Sequence, residues 1–269
     1  MLAIDKNYKI NELVYESREI IIYRGERLSD SQAVRIELIR TKYLSSDRLL
    51  SLQNQFNIMK KLDSKYILKA IGFTSCKNDF VLILEDFSKS TLQDFFRQID
   101  ARCLDSENLD NFLRLFLPIS IQLAEILSEL YTHNIIHRDL KPANFQIDLQ
   151  TQQIKLTNFG HALLVSEQGQ IVTNPTFEGT LAYASPEQTG RMNRGIDYRS
   201  DFYSLGITFY ELLTGKLPFS SVDPIELIHC HLAKLPISVS TVNPVIPQVL
   251  SLIVAKLMAK MLKIGIKVH

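Results

Sequence analysis

Between residues 12 and 40 three apolar-rich runs, ELVYES, EIIIYRGERL and QAVRIELIR, are separated by polar turns, and each reads as a short strand. DRLLSLQNQFNIMKKL then spaces its apolar positions three and four apart and predicts a helix, after which YILKAIGFTS and FVLILEDF return to strand-like runs. The first part of the chain therefore predicts a small sheet carrying one main helix. After STLQDFF the period changes: FLRLFLPISIQLAEILSELYTH, SDFYSLGITFYELLTG and VLSLIVAKLMAKML all read as helices, the second closed by Gly215. Within this helical part NFQIDLQTQQIKLTNF predicts two short strands around a polar turn. The pattern is that of an α+β protein, β-rich first and mainly helical afterwards, without repeats or low-complexity linkers.

Composition narrows the partners rather than the fold. With 269 residues and 46% apolar content the chain can build a sizeable core. Thirty basic residues against twenty-nine acidic leave a net charge of +1, so no global field recruits nucleic acid or an anionic membrane. The N-terminal MLAIDKNYKI lacks an apolar core, and no stretch approaches about 18 uninterrupted apolar residues, so a cytoplasmic protein is expected. Cys76, Cys103 and Cys230 are odd in number and widely spaced, which argues against a disulfide framework or a zinc cage. The His229-Cys230-His231 run suggests a metal site, but on a helix neighbours two apart diverge.

The strongest chemical signal is IIHRDLKPANFQID, residues 135–148. Phosphoryl transfer needs a carboxylate to take the nucleophile's proton and a second oxygen ligand nearby for a metal bridging the phosphates. Asp139 and Asn144 have those chemistries, and Lys141 can neutralise charge on a transferred phosphate. These residues resemble the catalytic loop of the protein kinase family, and NFG, GTLAYASPE and SDFYSLG follow at the family's spacing. The resemblance, which covers roughly residues 8–260, implies a bilobal kinase-like fold. Residues 1–87 would form the N-lobe with a hinge at its end, and residues 88–269 the C-lobe. Lys141 with Thr180 resembles the serine/threonine branch, Glu187 the end of the activation segment, and Asp201 the helix carboxylate that braces the catalytic loop. A finer likeness, through EGTLAYASPEQTGRMNRGIDYRSDFYSLGITFYELLTGKLPF, is to the N-terminal kinase domain of large bacterial multidomain serine/threonine-histidine kinases.

The family resemblance implies ATP and magnesium, yet the residues that would grip them depart from the family. A third-strand Lys normally holds the α and β phosphates and is itself held by a helix Glu. Here AVRIEL places Glu37 at the Lys position, and LQNQFNIM places Gln55 at the Glu position. At ~4 Å and an effective dielectric of ~20 a unit charge pair is worth ~4 kcal/mol, so the exchange turns attraction into repulsion. A one-residue misregister on the strand is the alternative. Arg35 points the same way as Glu37, since strand side chains repeat every two residues; it either pairs with Glu37 or stands in for the missing Lys. By position Arg35 lies over adenine and Gln146 beneath it, where the family is apolar. Leu84 lies behind it, and backbone groups of Glu85 and Phe87 are available to bond it. No Gly-x-Gly-x-x-Gly occurs between the first two strands; Gly25 comes too late to bring amides to phosphate. Asn158 replaces the Asp expected to hold magnesium alongside Asn144, and a hard dication favours carboxylate. Weak binding of ATP and magnesium is expected.

Three readings follow: a pseudokinase-like regulatory or binding module, an active serine/threonine kinase using altered residues, or a nonfunctional remnant. The protein substrate or regulatory partner is not specified by the sequence. Thr173, Thr176 and Ser166 are candidate phosphorylation sites, with Arg138 as the cation that would receive the phosphate. The tail raises its own expectation. In the multidomain kinases LIVAKLMAK precedes a stretch similar to Lys-x-Ala-Glu-x-Arg-Tyr-x-Ser. A string coding Lys-Asn-Ala-Glu-Asp-Arg-Tyr-Gln-Ser-Ala yields KMLKIGIKVH when one adenine is lost from its initial run. Residues 260–269 are thus expected to be a frameshifted tail of a truncated lobe, without the Arg that pairs with the carboxylate of Glu187. The alternative is a cationic amphipathic helix, with Lys256, Lys260, Lys263 and Lys267, that binds membrane.

Overall fold

The computed structural model describes residues 7–43, 45–76, 78–99, 101, 104–165, 177–191 and 195–260. In chain order these form β1 (Tyr8–Glu16), β2 (Ile20–Arg27), β3 (Ala33–Ile39), α1 (Ser46–Lys61), β4 (Ala70–Cys76), β5 (Asp79–Glu85), α2 (Leu92–Ile99) and α3 (Leu109–Thr132). They continue with β6 (Ile135–Ile136), β7 (Phe145–Ile147), β8 (Ile154–Leu156), β9 (Leu163–Leu164), α4 (Arg199–Thr214), α5 (Pro224–Ala233), α6 (Val239–Val242) and α7 (Gln248–Leu257). Packing divides the chain into two units, one within residues 1–92 and 144–162, the other within 93–143 and 163–269.

The first unit is built on an antiparallel sheet of order β1-β2-β3-β5-β4. Alternation along β3 separates its two faces: Val34, Ile36 and Leu38 are buried with Ile21, Val81 and Ile83 in one apolar cluster, whereas Arg35 and Glu37 point the other way. Register places Arg24, Arg35 and Leu84 side by side on that second face, and Ile22, Glu37 and Leu82 likewise. Helix α1 starts at Ser45, whose side chain accepts from the Arg48 N–H. Its buried stripe of Leu52, Gln55, Ile58 and Met59 includes a polar residue that an apolar pattern would not place there. Hairpin β7–β8 also packs in this unit, because the Leu156 backbone exchanges hydrogen bonds with Tyr66 and Leu68. On α1, Ser51 and Asn54 donate to the carbonyls of Gly160 and Ala162. Non-local backbone bonds between Leu156 and the segment before β4 thus group residues 144–162 with the first unit.

In the second unit α4 is buried on nearly every side, as a helix apolar around most of its circumference must be. Phe112, Phe116 and Phe209 continue one aromatic contact chain from α3 to α4. A Cβ at Gly206 would lie 2.7 Å from Met258 Cγ and 2.9 Å from Leu257 Cβ, so α7 approaches α4 only over a glycine. Gly215 ends α4 in the left-handed conformation, as its position predicts. Helix α7 stops at Leu257, short of the span its periodicity suggests, while Lys260 Nζ turns to the Cys230 and Lys234 carbonyls at the end of α5. The proposed continuation through residues 261–269 lies outside the described residues. No described helix is long and apolar enough to cross a membrane.

Candidate active site

The second unit carries the loop that the sequence predicts to be catalytic. Its backbone is strained at Arg138, a non-glycine residue with φ of 65°, and a set of hydrogen bonds holds it there. Asp201, near the start of α4, accepts the N–H groups of His137 at 2.7 Å and Arg138 at 2.9 Å, while Gln188 Nε2 donates 2.8 Å to the Arg138 carbonyl. Burial pushes the Asp201 carboxyl up to about 6, against the two amide donors that favour its charge. The loop thereby presents Asp139, whose Oδ2 lies 3.1 Å from Lys141 Nζ; the same ammonium donates to the Thr180 hydroxyl. Burial acts to raise the Asp139 carboxyl, but the Thr180 hydroxyl and the Lys141 and His137 charges outweigh it and hold it below the usual carboxylate range. An ionised carboxylate beside a hydroxyl and a cation is a competent proton acceptor. Arg138, with a buried side chain, pairs with Glu178 at 2.7 Å. Glu187 is half-buried and accepts from Ser200 Oγ at 2.7 Å, so its carboxylate has a partner within the lobe. The candidate phosphorylation sites Ser166, Thr173 and Thr176 lie outside the described residues.

The first unit carries the remaining predicted residues. Arg35 Nε donates 2.8 Å to Glu37 Oε1, so the arginine pairs with the carboxylate. Their side chains are 30% and 12% exposed, which leaves the pair too accessible to count as a deeply buried bridge. One strand over, Arg24 is held by Asp86 at 2.9 Å. Gln55 is buried on α1 at 6% exposure. Asn158 adopts the left-handed conformation that Asn tolerates, with φ of 65°, and its Nδ2 donates 3.3 Å to Asn144 Oδ1. The pair offers neutral amide oxygens, where magnesium, hard and reluctant to dehydrate, favours carboxylate.

At the turn between β1 and β2, where the family's glycine loop would cradle phosphate, Ser17 closes the chain on itself. Its N–H donates to the Ile20 carbonyl at 2.8 Å, and its Oγ accepts from the N–H groups of Glu19 and Ile20. Gly25 serves the sheet instead, since a Cβ there would lie 2.3 Å from the Lys9 carbonyl. At the end of β5, Glu85 accepts from Lys155 Nζ at 2.6 Å and from the Lys69 N–H at 2.7 Å, and the Lys155 ammonium sits 4.9 Å from the Phe87 ring centre. Among the described residues no backbone acceptor takes the Phe87 N–H. Gln146, opposite Lys155 across the β7–β8 hairpin, is 6% exposed and its Oε1 has no hydrogen-bond partner. Sequence reasoning missed Lys155, Arg24, Asp86 and Glu178. The one available signal was the two-residue period linking Arg24 to the face of Ile22.

A protein kinase domain model matches residues 21–267. The chain is 28% identical over 244 residues to the probable serine/threonine-protein kinase PknB of Lactococcus lactis, covering 90% of this chain and 37% of that protein. It is 35% identical over 148 residues to the serine/threonine-protein kinase PknB of Mycolicibacterium smegmatis, covering 55% of this chain and 23% of the relative. Over 216 residues it is 32% identical to the hybrid signal transduction histidine kinase G of Dictyostelium discoideum, 55% of this chain and 6% of the relative. The chain thus spans little more than a third, or less, of these relatives. With the family match reaching almost from end to end, and Asp139, Lys141 and Asp201 placed as above, the chain belongs to the protein kinase family, on its serine/threonine branch.

Proposed function

We propose that this domain has lost most or all of its phosphoryl-transfer activity and works as a binding or regulatory module. The observation that carries the reading is the Asn158–Asn144 amide pair at 3.3 Å, which takes the place of a charged metal site. The Arg35–Glu37 pair and the self-closed turn at Ser17 support it, since neither offers phosphate an unshared charge or an open set of amides. Thermal-shift titration with ATP and magnesium tests this directly. Saturable binding at a hundredfold excess over Kd stabilises the folded state by ~2.7 kcal/mol. No magnesium-dependent shift is expected at submillimolar ATP, and a clear one overturns the proposal.

A second reading, an active serine/threonine kinase with altered nucleotide contacts, draws support from the catalytic loop, where Asp139 stays ionised beside Lys141 and Thr180. Single-turnover transfer from ATP separates the two: phosphorylated protein appears only under the second.

A further inference from the structure

The helices of the second unit leave an apolar groove that no described residue covers. About 800 Å³ in volume, it is lined by Tyr210 of α4, Leu232 of α5, the connection from α5 to α6, and Val254 and Met258 along α7. On that connection Leu235 and Ile237 are 86% and 63% exposed. Water against so much contiguous apolar surface favours a cover.

Charge narrows what the cover is. Residues 227–269 contain five lysines and no Asp, Glu or Arg, although the whole chain carries only +1. Lys260, in the groove wall, turns its ammonium to the Cys230 and Lys234 carbonyls, and Glu226 reaches Lys234 at 3.7 Å. None of the described ion pairs includes Lys256 or Lys260. The surroundings of the groove are therefore cationic and short of carboxylates. The chain's own residues 261–269 would bring Lys263 and Lys267 there, and a second copy docking by the same face would bring the same lysines; both add like charge. An acidic partner offsets it.

Shape narrows the choice further. The walls are helices and one connection, with no sheet edge, so a peptide lying there has to satisfy its own backbone, as a helix does. A membrane surface is too flat to fill a trough, and a lipid tail needs an enclosure that the exposed Leu235 and Ile237 do not give.

We propose that this groove docks an amphipathic helix of a partner protein, with apolar residues entering beside Leu235, Ile237 and α7 and carboxylates flanking them toward Lys256 and Lys260. No residue of the loop at 135–148 takes part. The inference thus goes beyond the reading above and stands whether or not phosphoryl transfer survives.

The probe is a library of displayed random peptides of about 16 residues, long enough for four helical turns. It is selected on the full chain and counter-selected on the double variant Leu235→Asp/Ile237→Asp. Both positions are exposed, so the variant is expected to keep its melting temperature; Leu235→Ser/Ile237→Ser replaces it if it does not. Retained peptides are expected to space apolar residues three and four apart and to carry more Asp and Glu than Lys and Arg. A synthesised one should become helical on binding, lose about tenfold or more in affinity to the double variant, and bind Lys256→Glu about fivefold more weakly at low salt, a difference that closes as salt rises. No peptide discriminating wild type from the variant, or retained peptides without acidic excess or helical spacing, overturns the proposal. So does binding seen only once residues 261–269 are removed, which would make the tail the occupant. A dimer that the double variant abolishes, or phosphatidylserine vesicles bound through Leu235 and Ile237 in place of any peptide, overturns it in favour of a second copy or a membrane.

Discussion

Asn158→Asp alone is expected to leave the protein without useful phosphoryl transfer. The change returns a charge to the amide pair with Asn144, and so repairs the metal site in part. It does nothing for the phosphates, which would still meet the carboxylate of Glu37 on β3. A unit charge at ~4 Å and an effective dielectric of ~20 repels by ~4 kcal/mol; sharing with Arg35, 2.8 Å away, and solvent screening reduce this to roughly half. About 2 kcal/mol remains, worth roughly thirtyfold in affinity. Glu37→Lys reverses the sign, but in the family that Lys is itself held by a helix Glu, whose position Gln55 takes here, so Gln55→Glu is made with it. The three substitutions together are expected to exceed the product of their separate effects, by about tenfold or more, since groups that act as a unit are not additive. Single-turnover transfer of labelled phosphate from ATP, with magnesium-ATP melting shifts alongside, measures both parts. Robust transfer by Asn158→Asp alone, or a triple variant no better than the product of the singles, would refute the reasoning.

Two buried groups give pH effects of opposite sign. Asp201, held near 6 by burial, keeps its proton in the folded state where an unfolded carboxyl near 3.8 has lost it, so its contribution to stability falls as pH rises from about 4 to about 6. Urea unfolding should show wild type losing ~3 kcal/mol relative to Asp201→Asn across that window, and a constant difference would contradict the assignment. His231, buried against Phe219 and Tyr203 with its pKa lowered by burial to about 4, stays neutral where the unfolded imidazole is protonated. Wild type should therefore lose ~3 kcal/mol relative to His231→Phe as pH falls from about 6.5 to about 4; parallel pH profiles would sink this. Glu178→Gln leaves the buried Arg138 with a neutral partner, at an expected cost of ~1 kcal/mol because Glu178 is itself 37% exposed. Equal denaturation midpoints for wild type and variant would show that the pair contributes nothing.

What the sequence could and could not disclose follows from the range of the rules applied to it. Strand alternation is a local rule, and it placed Arg35 and Glu37 on one face, two residues apart, where they form an ion pair. The catalytic loop was legible for a different reason, since its chemistry sits within one short run and Asp139 meets Lys141 over two residues. Glu178 reaches Arg138 from forty residues away, and Lys155 reaches Glu85 from seventy. No periodicity spans such distances, so the fold alone selects those partners. The β7–β8 hairpin is the mixed case: its strands were evident from pattern, but the unit they join depends on backbone bonds from Leu156 to Tyr66 and Leu68. Gln146 marks the limit most sharply. Its identity was plain and its polarity unexpected, yet being unpaired is a property of every neighbour at once, and no single stretch of sequence holds that information.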